Sequence, residues 1–399
     1  MIYNKLSKPK YDMVTFIFLV FASSIMIYDP WFFGIGRGVL IIGLLFTFII
    51  SISGRLVIDK EEYTIFIVLL MFTCLSVLPA VYNGTFDASV FLMYLKMCIY
   101  FVLCLGFVRL FRSKNMFIFV LKGTIILQCI VILLCIISPG VRDFIFSVHT
   151  VEERFLTSEQ AYRLYFLSSS SFFQLSLFFG FLFHFMVALY REGKVGLTTL
   201  ILIFICGAFS GRAFFVFSVI TIVFYGIKLK YIPIYLIISF LLIFVAVKFS
   251  NNTFVGHALE PLINYINSGE LETNSSDKLV EKMLFIPHFT SLVIGDGLYY
   301  NNDGSYYMHT DSGFIRQLLY GGFIYFSCCL GLTLYLLVKL SKNWFGNYRK
   351  FYISTSIIFL IGNVKADVLM YPGITINLIF ILVLMSEARH DKNIHRITN

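Results

Sequence analysis

Long apolar runs recur along almost the whole chain, and each is about as long as the roughly 17–25 residues that an α-helix needs to cross a bilayer. Short polar segments separate these runs, without the alternation of apolar and polar residues that is typical of barrel strands. The pattern predicts an all-α, polytopic membrane protein with about twelve spans. We expect these spans near residues 12–28, 36–53, 63–81, 89–108, 115–137, 164–190, 195–210, 213–228, 231–249, 313–338, 351–369 and 372–387.

Two of the predicted outer segments, 138–163 and 250–312, are longer than a compact helical bundle needs. Connections of this length usually carry function. The first contains Arg142 and Arg154, which we regard as supporting candidates for a binding site. The second has apolar residues at helical spacing near 276–286, which predicts an amphipathic helix that lies on the membrane surface or packs on the other long segment.

Composition and charge agree with this interpretation. With 59% hydrophobic and 13% charged residues, the chain of 399 residues has too little polar surface for a water-soluble globule. When the predicted segments alternate from a cytoplasmic amino terminus, the inner ones contain 19 of the 31 basic residues, an excess that marks cytoplasmic loops. We therefore predict one membrane domain over residues 1–399 with both termini in the cytoplasm. No basic stripe with interleaved aromatic residues indicates a nucleic-acid partner.

The sequence predicts no metal ion and no other cofactor. All eight cysteines lie in predicted spans, at spacings that fit neither metal ligands nor a disulfide framework. The Gly-Asp-Gly motif at 295–297 neither follows a strand nor opens a helix of a βαβ unit, so a dinucleotide site is excluded. We interpret this motif as a flexible turn.

Two arginines near predicted helix ends are the candidate anion ligands. Arg212 lies where two short apolar runs meet, and its planar guanidinium suits phosphate oxygens, although it could also reach lipid headgroups. Arg316 lies one turn inside the tenth predicted span, on the same helix face as Ser312. A charge at that depth costs roughly 2.5–3.5 kcal/mol unless it meets a polar cavity or a partner. The sequence therefore predicts a cavity there, or an ion pair with an acid such as Asp367.

The candidate acids and bases lie at the same predicted outer ends. Asp311 and Ser312 precede the tenth span, where their side chains are expected to cap its first N–H groups while the helix end attracts an anion. His309 is a candidate proton acceptor because imidazole titrates near neutral pH. Lys365 and Asp367 lie at the outer end of the eleventh span, and we expect them to pair with each other.

Three motifs carry a resemblance to a known family: FSGRAFF at 209–215, GDG at 295–297 and HTDSGFIRQLLYGG at 309–322. With about a dozen spans and a long late outer loop, the chain resembles the Wzy-type O-antigen and capsular polysaccharide polymerases and, more distantly, the O-antigen ligases. The resemblance implies a membrane-embedded, metal-independent glycosyltransferase of class C in the bacterial inner membrane. Such an enzyme moves a growing glycan from undecaprenyl pyrophosphate to a lipid-linked repeat unit at the periplasmic face.

The resemblance also implies roles and partners. Arg212 and Arg316, with Ser312, would hold the pyrophosphate leaving group, and Asp311 or His309 would orient or deprotonate the acceptor hydroxyl. The partners would be undecaprenyl-pyrophosphate-linked oligosaccharides, membrane lipids and a protein that regulates chain length. An O-antigen ligase is the alternative function. A lipid-linked oligosaccharide flippase ranks third, because the chain concentrates polar residues at the outer side and shows no internal repeat.

Overall fold

The chain is almost entirely helical. In a computed structural model 76% of the residues are helical and 2% are in strands. The structure describes residues 12–32, 36–54, 56–149, 153–156, 160–226, 240, 243–244, 247–250, 255–256, 259–269, 277, 279–368 and 373–385. The α-helices are α1 (Met13–Tyr28), α2 (Gly38–Ile52), α3 (Lys60–Leu75), α4 (Leu78–Tyr82), α5 (Ser89–Val108), α6 (Lys114–Ile137), α7 (Pro139–Ser147), α8 (Glu153–Leu156), α9 (Phe172–Arg191), α10 (Leu197–Ser210), α11 (Ala213–Thr221), α12 (Glu260–Ser268), α13 (Phe289–Val293), α14 (Gly313–Trp344), α15 (Tyr348–Lys365) and α16 (Ile374–Leu384).

The remaining regular elements are short. Two-residue strands β1 (Trp31–Phe32) and β2 (Gly36–Arg37) separate α1 from α2. Single turns of 3-10 helix occur at Ala161–Leu164 and Tyr307–His309, and π-helical turns at Ile222–Gly226 and Leu279–Met283.

Five helical segments are long and apolar enough to cross a membrane, which is consistent with a membrane protein. They are Lys60–Tyr82, Ser89–Val108, Lys114–Ile137, Phe172–Arg191 and Gly313–Trp344. Five shorter apolar helices also match predicted spans: Met13–Tyr28, Gly38–Ile52, Leu197–Ser210, Ala213–Gly226 and Ile374–Leu384. The predicted span 231–249 and both termini lie largely outside the described residues, so the twelve-span topology stays a prediction.

Two predicted helix boundaries are wrong. The span expected at 164–190 begins only at Phe172, because serine side chains compete for the preceding backbone: the Ser168 hydroxyl accepts the Ser170 N–H at 3.1 Å, and Ser171 is extended. In the described part of the amphipathic helix expected at 276–286, the helical turn Leu279–Met283 ends before residues 284–286, which are not helical. Pro287 disfavours a helical conformation at the residue before it, so a helix cannot continue to 286.

The chain divides into two compact units, which we describe separately; the single domain expected from the sequence stays a prediction. The first unit consists mainly of residues 122–281. Its centre is α9, which packs on α10 and α11. Phe178, Phe179 and Phe185 of α9 are fully buried, and aromatic rings dominate this core.

The second unit consists mainly of residues 36–121 and 282–399. Its core is α16, in which every residue from Ile374 to Leu384 is buried, with α5 and α14 packed on it. A helix that is apolar on all sides has to be surrounded by other helices or by lipid. The helix α15 packs along α14, and this contact positions the polar cluster described next.

Candidate functional site

The first turn of α14 packs tightly against the end of α15. A side chain at Gly313 would collide with the Asn363 amide, with Asp367 Cα at 2.5 Å and with the Ala366 carbonyl oxygen at 2.7 Å. Only glycine permits this approach, so the sequence Ser-Gly at 312–313 brings the helix end and the 363–367 segment together. The buried polar side chains of both elements therefore gather at one place.

Arg316 is the central residue of this cluster. It is 4% exposed, and its guanidinium carbon lies 4.1 Å from the ring centre of Tyr299 and 3.5 Å from that of Tyr306. Its Nε and Nη2 atoms are buried and have no hydrogen-bond partner among the described residues. An aromatic face stabilises a cation but accepts no conventional hydrogen bond, so two strong donors remain unsatisfied.

Asp367 supports one of the two rings. Its carboxylate accepts hydrogen bonds from the Tyr299 hydroxyl at 2.7 Å and from Gln317 Nε2 at 2.9 Å. Burial raises the pKa of Tyr299 well above its usual value, Asp367 adds to that shift, and the Arg316 cation opposes it. The phenol therefore stays protonated and keeps donating, which fixes the ring beneath the guanidinium.

Asp311 is half-buried and lies near the same cluster. Burial raises the pKa of its carboxyl, while the nearby Arg316 and Lys365 cations act in the opposite direction. The structure thus brings Asp311, Arg316 and Lys365 into electrostatic contact. A carboxylate with a raised pKa is a better proton acceptor than an ordinary aspartate.

Ser312 occupies the N-cap position of α14, but the expected side-chain cap is wrong. Its hydroxyl is buried and makes no hydrogen bond, and no side-chain cap bond is present at this helix end. Instead the Ser312 N–H donates to the Thr310 hydroxyl at 3.2 Å, and that hydroxyl donates to the Met283 carbonyl oxygen at 2.7 Å. The helix end therefore keeps a buried hydroxyl without a hydrogen-bond partner among the described residues, one helical turn before Arg316.

His309 lies on the exposed side of the cluster in an unusual backbone conformation. Both Met308 and His309 have positive φ angles, 55° and 54°. The left-handed conformation costs roughly 1–2 kcal/mol for each residue that is not glycine. Such strain persists where the surrounding contacts impose it and is concentrated at functional sites.

The interpretation of the Gly-Asp-Gly motif as a flexible turn is wrong. Its amides at 296 and 297 donate to the carbonyl oxygens of Leu319 and Tyr320, which lack their usual helical partners because α14 breaks at Gly322. Asn83 Nδ2 donates to the Gly295 carbonyl oxygen at 3.2 Å, and the Thr85 hydroxyl donates to the Gly297 carbonyl oxygen at 2.6 Å. The motif is a packed connector that completes the broken helix.

The first unit contains a second arginine cluster. Arg212 forms an ion pair with Glu260 of α12, and both side chains are partly exposed. Arg163 lies within 4 Å of the position that a side chain on Gly211 would take, and it is buried with Nε and Nη2 unpartnered among the described residues. Sequence reasoning missed Arg163, because nothing in its polar loop distinguishes it from the other basic residues there.

The two supporting arginines are less informative. Arg142 lies in α7 and is partly exposed. Arg154 lies in α8, but its side chain is outside the described residues. Neither is brought into the clusters described above by any contact that the structure describes.

Comparisons with known proteins add no functional evidence for this chain. No family model, curated protein or solved structure matches this chain. Among the described residues, no group of three or more His, Cys, Asp or Glu side chains is arranged to hold a metal ion. The chemical features available for a functional argument are therefore the buried arginines, the carboxylate and the imidazole.

Proposed function

We propose that this protein is a polysaccharide polymerase of the inner membrane that transfers a growing glycan from undecaprenyl pyrophosphate to a lipid-linked repeat unit. The observation that carries the proposal is the buried Arg316, whose guanidinium stacks on two tyrosine rings and whose Nε and Nη2 have no hydrogen-bond partner among the described residues. A guanidinium stays charged in such surroundings and presents donors in the geometry that phosphate oxygens accept. Native proteins leave few buried polar groups unpaired, so donors in this position are suited to an anionic ligand.

The chemistry needs little beyond these groups. The acceptor hydroxyl attacks the anomeric carbon of the donor, the bond from that carbon to the pyrophosphate oxygen breaks, and the electron pair stays on the phosphate. Arg316, the Ser312 hydroxyl and the free N–H groups of α14 stabilise the developing negative charge. Asp311 orients the acceptor hydroxyl, and His309 takes its proton.

The low-polarity surroundings strengthen these contacts. Charges attract each other more strongly away from bulk water, and donors fixed in advance need no reorganisation when the leaving group departs. In the first unit we assign the same phosphate-binding role to Arg212 and to Arg163. The Glu260 carboxylate already forms an ion pair with Arg212. Arg163 Nε and Nη2 have no partner among the described residues and are available to an anion.

The test replaces Arg316 in cells that lack the native chain. We expect Arg316→Ala to remove long polymer while single repeat units remain, since losing one preorganised donor group costs about 10²–10³-fold in rate. Arg316→Lys keeps the charge but not the planar donors, so it should restore only short ladders. Arg349, an exposed arginine at the start of α15, supplies the matched control Arg349→Ala.

Ladders of normal length from a correctly inserted Arg316→Ala protein would remove the site assignment. Loss of the single repeat units together with the long polymer would instead indicate a ligase. Gel profiles of the polysaccharide and immunoblots of the membrane fraction distinguish these results.

A further inference from the structure

The loop before His309 is an ordered β-turn. Tyr300 and Tyr306 form an antiparallel bridge whose rings lie 5.6 Å apart. Between them the Asn301 N–H donates to the Ser305 carbonyl oxygen at 2.8 Å, and the Gly304 N–H donates to the Asn301 carbonyl oxygen at 3.0 Å. The turn is thereby fixed on Tyr306, the ring that stacks on the Arg316 guanidinium.

Three side chains of this turn form a directed hydrogen-bond chain. The Ser305 hydroxyl donates to Asp303 Oδ1 at 2.6 Å, and the Ser305 N–H donates to the same oxygen at 2.8 Å. Asn301 Nδ2 donates to the Ser305 hydroxyl oxygen at 2.9 Å. The same hydroxyl oxygen lies 3.3 Å from His309 Nδ1.

The direction of the last contact follows from the number of protons. A serine hydroxyl has a single proton, and here Asp303 accepts it. The hydroxyl oxygen can therefore only accept at its contact with His309, so Nδ1 carries the imidazole proton. In the neutral ring this leaves Nε2 with a free lone pair.

We propose that Asp303 and Ser305 are positioning residues that hold His309 in the Nδ1–H tautomer, so that Nε2 accepts the proton of the acceptor hydroxyl. This inference rests on the proposed function, which gives Asp303 and Ser305 no role. A base oriented by a third group is the general arrangement of activated acid–base pairs. The strained backbone at Met308 and His309 is consistent with a ring held in place by the turn.

The proton and electron count is complete within this arrangement. The acceptor hydroxyl gives its proton to Nε2 as its oxygen bonds to the anomeric carbon, and the pyrophosphate leaves with the bonding electron pair. Nδ1–H continues to donate to Ser305, whose hydroxyl continues to donate to Asp303, so no second proton moves. Hydrogen bonds from Ser305 lower the pKa of Asp303, which keeps that carboxylate ionised and opposite the imidazolium.

The direct test measures the tautomer by nitrogen NMR on full-length protein with selectively labelled histidines. The chain has seven histidines, and His309→Gln assigns the signal of interest by its loss. We expect the neutral ring of His309 to be protonated at Nδ1 in the native protein and to shift toward Nε2–H in Ser305→Ala and Asp303→Ala. An Nε2–H tautomer in the native protein would overturn the inference.

A second readout measures elongation of lipid-linked repeat units by the same variants. Ser305→Ala and Asp303→Ala should lower kcat about tenfold, a part of the roughly 10²–10⁴-fold that a general base contributes, with KM little changed. Ser305→Thr keeps the hydroxyl and should retain activity. Asn302→Ala changes an exposed residue of the same turn and serves as the control, so it should leave kcat unchanged. Equal activity in Ser305→Ala and in the native protein would also overturn the inference.

The two readouts separate this inference from the proposed function. If the tautomer responds as expected but the native protein elongates no lipid-linked repeat unit, the control of the tautomer by Ser305 is correct and the polymerase assignment fails. If Arg316→Ala abolishes elongation while Ser305→Ala leaves the His309 tautomer unchanged, the polymerase assignment stands and the positioning role fails.

Discussion

At the scale of single residues, the account depends on how a buried guanidinium is compensated. Arg316 is held by aromatic faces on Tyr299 and Tyr306, while Asp367 is occupied by hydrogen bonds from Tyr299 and Gln317. Stacking on rings compensates part of the lost hydration but leaves Nε and Nη2 without a hydrogen-bond partner among the described residues. A site built this way is suited to binding an anion.

Replacing Asp311 by asparagine should raise the stability of the protein and remove its activity. Because burial raises its pKa above the ordinary value of 3.8, the native protein binds the carboxyl proton more tightly than the unfolded chain does, and stability falls as pH rises and the side chain ionises. Asp311→Asn cannot ionise, so its Tm should exceed that of the native protein at pH 7, and the difference should vanish below the ordinary carboxyl pKa. Elongation should be lost.

Thermal unfolding of detergent-solubilised protein at both pH values measures this effect. Asp303→Asn is the matched control, because hydrogen bonds from Ser305 lower the pKa of Asp303 and removing its charge should lower Tm. An Asp311→Asn protein that is less stable than the native one at pH 7 would contradict the assigned environment.

Part of the cluster around Arg316 could be predicted at this scale from the sequence, and the remainder could not. The depth of Arg316 in an apolar run predicts a polar surrounding, because an isolated charge there is costly. The stacking rings come from residues 299 and 306 in the preceding loop, and local spacing carries no information about that contact. Arg163 was missed for the same reason, since only the fold brings it beside Gly211.

At the scale of elements, the break in α14 is the feature that organises the second unit. Gly322 has φ 71° and ψ −175° inside an otherwise continuous helix of 32 residues. The carbonyl groups freed by the break accept the amides of the Gly-Asp-Gly motif, and Ser291 donates to Asp296 Oδ1 at 2.7 Å. The helix is therefore bent where the loop that carries Tyr299 joins it.

Replacing Gly322 should disturb this junction. A side chain there would collide with the Val293 carbonyl group and would require a left-handed conformation, so we expect Gly322→Ala to destabilise the protein by about 1–3 kcal/mol. A methyl group at Gly331, in the same helix, would meet no atom within 4 Å, and Gly331→Ala should be neutral or stabilising by up to roughly 1 kcal/mol. Equal Tm values for the two variants would contradict the described break.

The elements themselves were well predicted where long apolar runs have clear ends. The predicted starts of α5 and α14 match the structure, since both follow polar loop residues. The break at Gly322 was not predicted, because a single glycine in an apolar helix is common and its conformation depends on the carbonyl groups that approach it. The largest difference between a predicted and an observed helix start is at α9, where serines precede the helix.

At the scale of the whole molecule, the central expectation is the orientation in the membrane. The positive-inside distribution predicts that the loop before α14 faces the periplasm and that the α14–α15 connection faces the cytoplasm. The structure describes α14 as long and apolar enough to cross a membrane. The two connections should then lie on opposite sides.

Labelling with a membrane-impermeant thiol reagent tests this orientation. Asn302 and Asn347 are exposed and flank α14. We expect Asn302→Cys to react from outside intact spheroplasts and Asn347→Cys to react only after lysis, with the parent chain as the background control. The reverse pattern would place the candidate base on the wrong side for a periplasmic reaction.

The most direct test of the central claim is elongation by purified protein. Native protein and Arg316→Ala protein are incubated in detergent with undecaprenyl-pyrophosphate-linked repeat units, without metal, nucleotide or ion gradient, and the glycan lengths are read by mass spectrometry. The account predicts glycans of several repeat units with the native protein and single units with Arg316→Ala. Single units with both proteins, or equal elongation by both, would contradict it.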